Sequence, residues 1–294
     1  MVRVFSAVLD TLVQGLLLGG LYTLTALGLS LAFGVMRLVN VAHGDFMVLG
    51  AYFALVIMQA LGLHPLVALV IVLPGMAIAG YLAQRFVLDR TLGRDILPPL
   101  LVTFGFSIIV QSALLEVFSA DSRRLDAGDL VTASFNVFGD FYIGWFPLLI
   151  TVLAVAMVAT MQWLFARTAI GRAFRAVSDD QEIAQLMGID QRHVFALALA
   201  IASACVGLAG VLFGMSTTFD PAIGPAHLIY AFEAVIIGGM GSFWGTFVGG
   251  VLLGTMQAIG FRVDPGWGVL FGHAAFLLVL LFRPSGLFPR TRDL

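Results

Sequence analysis

The sequence predicts an all-α integral membrane protein: a polytopic bundle of about eight or nine transmembrane or re-entrant helices, with Gly-broken helices in both halves. Composition is the first ground. Hydrophobic residues make up 60% of the 294 and charged residues only 11%, where a soluble domain carries roughly 25% charge. Patterning is the second. The apolar residues fall in stretches free of Asp, Glu, Lys and Arg, each long enough for one or two crossings at about 20 residues apiece. The third ground is physical: lipid offers the backbone no hydrogen bonds, so these long runs must satisfy their own polar groups as helices.

Residues 11–36 form the first run, too long for the apolar core of a cleaved signal peptide and followed by no A-x-A site. Arg37 interrupts it, and Asp45 follows inside VNVAHGDFMVLGAY. The run 46–84 holds two crossings, parted at GLHP (62–65), because the residue before a proline is pushed out of helical geometry. Runs 96–115, 141–166 and 193–219 give one span each, 234–261 is long but punctured by glycine, and 265–282 is the last. Between them, 221–244 opens on Pro221, Gly224 and Pro225 and closes on GGMGSFWG; it is expected to cross or re-enter.

All fifteen cations are Arg, and Lys is absent. The chain therefore has no P-loop for ATP and no amine for Schiff-base chemistry. A net charge of −2 without a basic run gives nucleic acid nothing to bind. The single Cys205 excludes an internal disulfide or a CxxC site and reads as a small packed residue. HExxH and GxSxG motifs are missing and the five His are scattered, so no catalytic residue and no metal ligand is assigned. If 167–192 is cytoplasmic, so are Arg37, Arg85, Arg90, Arg94, Arg283, Arg290 and Arg292; eleven of fifteen Arg then share one side, as the positive-inside rule requires. The tail 283–294 is then cytoplasmic too, and the N terminus external if nine segments cross. The external loop 119–140 carries Asp121, Asp126, Asp129, Asp140, Arg123 and Arg124, as a solvated loop or a docking edge for an external partner.

Ionisable groups inside membrane runs are costly and count as site candidates. Asn40, His43, Gly44 and Asp45 cluster in the first half. They mark either a helix start near the interface, where Asp favours the positive dipole end, or a broken helix whose free backbone groups line a cavity. Glu116 closes a span and reads as interfacial, whereas Glu233 has apolar neighbours on both sides. Gly15 and Gly19, Gly250 and Gly254, and Gly241, Gly245 and Gly249 repeat at four-residue spacing, which lets helices approach closely. Gly238, Gly239 and Gly241, followed by Ser242, weaken a helix locally and have a counterpart in Ala42-His43-Gly44. Paired interruptions in two halves point to a translocation path at the midplane.

The densest charge lies in 167–192, RTAIGRAFRAVSDDQEIAQLMGIDQR. Arg172 and Arg175 stand one turn apart on a first helix. Ser178 is the expected N-cap of a second, with Asp179, Asp180 and Glu182 in its first turn. Ile183, Leu186 and Met187 form an apolar stripe, and Gly188 is a stop. An acidic amphipathic helix of this kind suits a groove on a partner better than an anionic lipid surface.

Three segments, LGLSLAFGVMRLVNVAHGDFMVLGAY, TAIGRAFRAVSDDQEIAQLMGID and AVIIGGMGSFWGTFVGGVLLG, resemble the Liv-type permeases, the membrane subunits of ABC importers for branched-chain and other hydrophobic amino acids. The likeness is greater to the H-type of the two paired subunits and runs from Gly15 to about Pro289. It implies one transmembrane permease domain, 1–294, in a bacterial or archaeal inner (plasma) membrane. It also implies that 167–192 is a coupling loop docking on an ATP-binding subunit through Gly171, Arg172, Arg175, Asp180, Ala184, Gly188 and Ile189. Two ATP-binding subunits, a second permease and a periplasmic substrate-binding protein are the implied partners. ATP would be bound by the partners, leaving this chain without a cofactor. Members similar to these also move amides and urea. The rival expectation is an ion-coupled secondary transporter using Asp45 or Glu233.

Overall fold

The computed structural model describes residues 2–91, 97–138 and 141–288. Arg94, Ile96, Asp140, Arg290 and Arg292 of the readings above, and 289–294 of the tail, lie outside them. Eleven α-helices, two single-turn 3-10 helices (Leu88–Arg90 and Gly128–Leu130) and one hairpin are the regular elements among the described residues. In order these are α1 (Val2–Met36), α2 (His43–Leu61), α3 (Pro65–Phe86) and α4 (Leu97–Phe118). The strands β1 (Ser134–Phe138) and β2 (Phe141–Gly144) follow, then α5 (Trp145–Arg167), α6 (Ala169–Asp179) and α7 (Gln181–Leu186). The chain ends with α8 (Gln191–Ser216), α9 (Gly224–Gly238), α10 (Phe243–Val263) and α11 (Gly268–Phe282). Seven helices, α1 to α5, α8 and α10, are long and apolar enough to cross a membrane. The apolar α9 and α11 have 15 residues each.

Local chemistry sets most boundaries. Gly62 closes α2 in the left-handed conformation (φ 65°), and His64 caps α3 by accepting from the Leu66 amide, with Pro65 in its first turn. Asp190 caps α8 through the Arg192 and His193 amides, and Ser242 caps α10 through the Gly245 amide.

Three expected boundaries are corrected. The run 234–261 is not one span: Gly239 (φ 101°) and Gly241 (φ 79°) end α9 and start α10, so the first residues of the run belong to α9. The first four residues of the run 141–166 are strand, paired antiparallel with β1, because a two-stranded hairpin satisfies their backbone where the loop meets water. Ser178 is no N-cap. It lies in α6 and its hydroxyl donates to the Gly34 carbonyl at 2.8 Å. The break comes at Asp180, whose carboxylate accepts from the Ile183 amide at 2.9 Å, a cap as good as a hydroxyl. Asp179 consequently ends α6 instead of opening α7.

α1 and α8 form the centre: 78% and 83% of their apolar windows are buried, against 22% for α4 and 28% for α3, whose outer faces are left for lipid. The Gly34–Ser178 bond places the end of α1 beside α6, so the charged block and Arg37 share one end. At the opposite end Arg262 donates to Asp10 at 3.1 Å, and Arg123 exchanges backbone hydrogen bonds with Phe219. Glycine brings α1 against α10. A Cβ on Gly19 would lie 2.5 Å from Val251 Cα, and one on Gly254 2.5 Å from the Gly15 carbonyl oxygen. Backbones this close draw their stability from van der Waals contact that any side chain would displace. Gly254→Leu should therefore lower stability by about 1–3 kcal/mol or more, read as a lower unfolding midpoint of the purified protein. Gly105→Ala, where a Cβ meets nothing within 4 Å, should hold or raise it. Equal midpoints for wild type and Gly254→Leu would show that α1 and α10 do not touch.

Candidate functional site

After α1 ends at Met36, Arg37 takes a positive φ of 52° and the chain doubles back, non-helical, to His43. His43 Nε2 lies 2.7 Å from the Thr25 carbonyl, eleven residues before the end of α1, or about 16 Å along its axis. Asn40, His43 and Asp45 are all buried. α2 thus starts among buried residues, alongside the interior of α1 and not at its end. The Val41 amide donates to Thr103 Oγ1 (3.2 Å) and the Ala42 amide to Asn40 Oδ1 (3.1 Å), so side chains satisfy backbone groups that lipid would leave bare.

The second half repeats the device. α8 ends at Ser216, residues 217–223 turn back inward, and α9 starts at Gly224 against the first turn of α2. A Cβ on Gly44 would fall 1.9 Å from the Gly224 carbonyl oxygen, and one on Gly224 would fall 2.2 Å from Asp45 Oδ1. Two positive helix ends converge here and the Asp45 carboxylate sits between them. Its Oδ1 accepts from Gln111 Nε2 at 2.9 Å, and the same amide donates to Ser107 Oγ at 3.1 Å. Oδ2 has no hydrogen-bond partner among the described residues.

The other path candidates lie elsewhere. Glu233, nine residues along α9, meets His273 Nδ1 at 2.5 Å. Gly238 abuts Gly245, and Gly239 abuts Gly286. The Leu287 and Phe288 amides donate to the Ile237 and Gly238 carbonyls. So Gly238, Gly239, Gly241 and Ser242 build the α9–α10 turn, which residues 286–288 cover. The nine path candidates fall in three places, of which only 40–45 touches the start of α9. Tyr22, Ser107, Gln111, Gln257 and His273 were missed because a scan for charge passes over neutral polar side chains; the available signal was that each is a polar residue inside a charge-free run.

At the charged end, Gly171, Phe174 and Val177 are the buried face of α6. A Cβ on Gly171 would lie 2.2 Å from the Leu164 carbonyl oxygen, so α6 folds directly back on α5. Arg172 and Asp179 are exposed and Arg175 is half-buried. On α7 only Ala184 is buried; Asp180 and Glu182 are exposed. Gly188 (φ 83°) ends the helix, and the Ile189 amide returns to the Ala184 carbonyl. Ile183, Leu186 and Met187 are 59%, 86% and 77% exposed, an apolar stripe rimmed by charge.

Residues 11–280 match the family described as branched-chain amino acid transport system / permease component. The chain is 32% identical to the high-affinity branched-chain amino acid transport system permease protein BraD of Pseudomonas aeruginosa, with 96% of each chain covered. It is 28% identical to LivH of Escherichia coli over 96% of each chain. It is also 28% identical to LivM of that organism, over 92% of this chain and 68% of the relative. For the buried junction, Asp45→Ala should cost about 1–3 kcal/mol, because the Gln111 amide loses an acceptor. Asp45→Asn, which keeps one, should cost less. Unfolding midpoints of the two purified variants check this, and equal values would show that the Gln111 contact contributes nothing.

Proposed function

The chain belongs to the branched-chain amino acid transport permease family, and from that premise we propose that it forms half of a translocation path for branched-chain amino acids, worked by ATP hydrolysis on separate subunits. Multi-pass placement in the inner membrane and a transport role, as opposed to an enzymatic one, come with the family. The observation that carries the rest is the α6–α7 surface. Ile183, Leu186 and the C-cap Met187 stand exposed on the same short helix as exposed Glu182, just past its exposed N-cap Asp180, outside the apolar spans. Contiguous exposed apolar side chains ringed by charge favour a protein partner, and the acidic residues disfavour an anionic membrane surface. A chain without Lys has no P-loop of its own, so an ATP-binding subunit is the partner this surface suits.

α6 rests on α5 at Gly171 and on α1 through Ser178 and Gly34, so a push on α6 and α7 reaches α1 directly. From Met36 only residues 37–42 separate α1 from the start of α2, and hence from Asp45. A second permease supplies the other half. Half-buried His227, Tyr230 and His273 on α9 and α11 are costly against lipid and suit a facing subunit with a path between. Kinship to both LivH and LivM supports such a pair of like folds. Externally, Arg124 donates to the Met215 and Ser216 carbonyls, which holds the 119–140 loop on the end of α8 as an edge for a substrate-binding protein.

Leu186→Asp combined with Met187→Asp tests the coupling surface. Both side chains are exposed, so the folded chain should insert and unfold normally while co-purification with the ATP-binding subunits is lost and leucine uptake falls about tenfold or more. Retention of both would refute the docking role.

A further inference from the structure

Six polar side chains from four helices form a continuous cluster that starts one turn along α9 from the Asp45 junction. Tyr22 of α1 donates to Gln257 Oε1 of α10 at 2.5 Å, and its ring lies 5.3 Å from that of Tyr230 on α9. Tyr230 stacks on His273 of α11, with centroids 6.0 Å apart and planes at 11°, and also neighbours His227 at 6.0 Å. His273 in turn meets Glu233. The outer members His227, Tyr230 and His273 are half-buried; the inner Glu233 and Gln257 are 4% and 2% exposed.

Two inner atoms of opposite character, Glu233 Oε2 and Gln257 Nε2, have no hydrogen-bond partner among the described residues. A purely structural network would satisfy both, since a buried unpaired polar atom is destabilising and a carboxylate oxygen more so. Gly272, next to His273, lets α11 pack directly on the Gln257 amide: a Cβ there would lie 2.9 Å from Nε2 and displace it. Apolar walls are at hand in Leu253, 3.2 Å from the same point, and Phe213, whose ring is 4.2 Å from that of His227.

We propose that this cluster is a recognition site for the zwitterionic end of an amino acid in transit, with Glu233 receiving its ammonium group and Gln257 donating to its carboxylate. The Tyr230 and His273 rings form the door, and Phe213 and Leu253 face the apolar side chain. This assignment rests on the transport reading above. A branched-chain amino acid brings both charges on one carbon, which is what a paired acceptor and donor can select, and its remaining atoms are apolar.

The test uses the whole importer, with its second permease, ATP-binding subunits and binding protein, in proteoliposomes, and radiolabelled L-leucine as probe. Glu233→Gln and Gln257→Leu should each lower leucine transported per ATP hydrolysed by about tenfold or more, while hydrolysis stimulated by the loaded binding protein is unchanged. In nanodiscs without the binding protein, unlabelled leucine should displace labelled leucine from wild type far better than 4-methylpentanoate, which lacks the ammonium group. Glu233→Gln should erase that preference. Should Glu233→Gln fail to insert, Gln257→Leu decides through its transport-to-hydrolysis ratio, since a packing defect lowers transport and hydrolysis together. Wild-type ratios in the variants, with the preference for leucine intact, would overturn the site. A wild-type importer that moves no leucine with ATP would overturn the transport reading and the site with it.

Discussion

α2 and α9 begin well inside the bundle, and the contact of their first turns at Gly44 and Gly224 is the constraint on which the rest of the structure depends. Lipid cannot satisfy the backbone of a helix that starts partway across. Everything near the contact supplies what lipid lacks. Asn40 and Thr103 take the amides of the chain leading into α2, His43 reaches the Thr25 carbonyl, and Gln111 holds Asp45. Because Thr25 sits on α1 and Thr103 and Gln111 on α4, both helices must be in place for α2 to begin where it does. Only glycine on each side permits the approach, since a Cβ on Gly44 would overlap the Gly224 carbonyl.

Both ends of the molecule lead to this contact by short non-helical segments. From the charged end, Ser178 holds α1 at Gly34, and residues 37–42 run from α1 to α2. From the opposite end, Arg123 pairs with Phe219, and residues 217–223 run into α9. The segment that Arg124 holds on the end of α8 and the α6–α7 surface therefore lead to the same buried junction from opposite ends.

Much of the fold was legible in the sequence because the bilayer imposes length. The charge-free runs, the GLHP break and the glycine-rich 238–242 turn each follow from what lipid and backbone geometry forbid. Depth was not legible. Nothing in VNVAHGDF tells how far back 37–42 carries the chain before α2 starts; that depends on Thr25, Thr103 and Gln111, which are remote in sequence. The α7 cap was misplaced for a related reason: Ser178 and Asp180 are both good caps, and only the tertiary bond to Gly34 removes the first from contention. Of the site, Asp45 and Glu233 stood out as carboxylates in apolar runs. Their partners did not, because Gln111 and His273 acquire meaning only when the helices are packed together.

The central claim is that energy for transport enters from another chain through α6 and α7. Leucine uptake into proteoliposomes measures it most directly, comparing the full importer supplied with ATP against this chain reconstituted alone under a proton or sodium gradient. The account predicts uptake that needs the ATP-binding subunits and hydrolysable ATP and survives ionophores. Gradient-driven uptake by the chain alone, abolished by an ionophore, would contradict it.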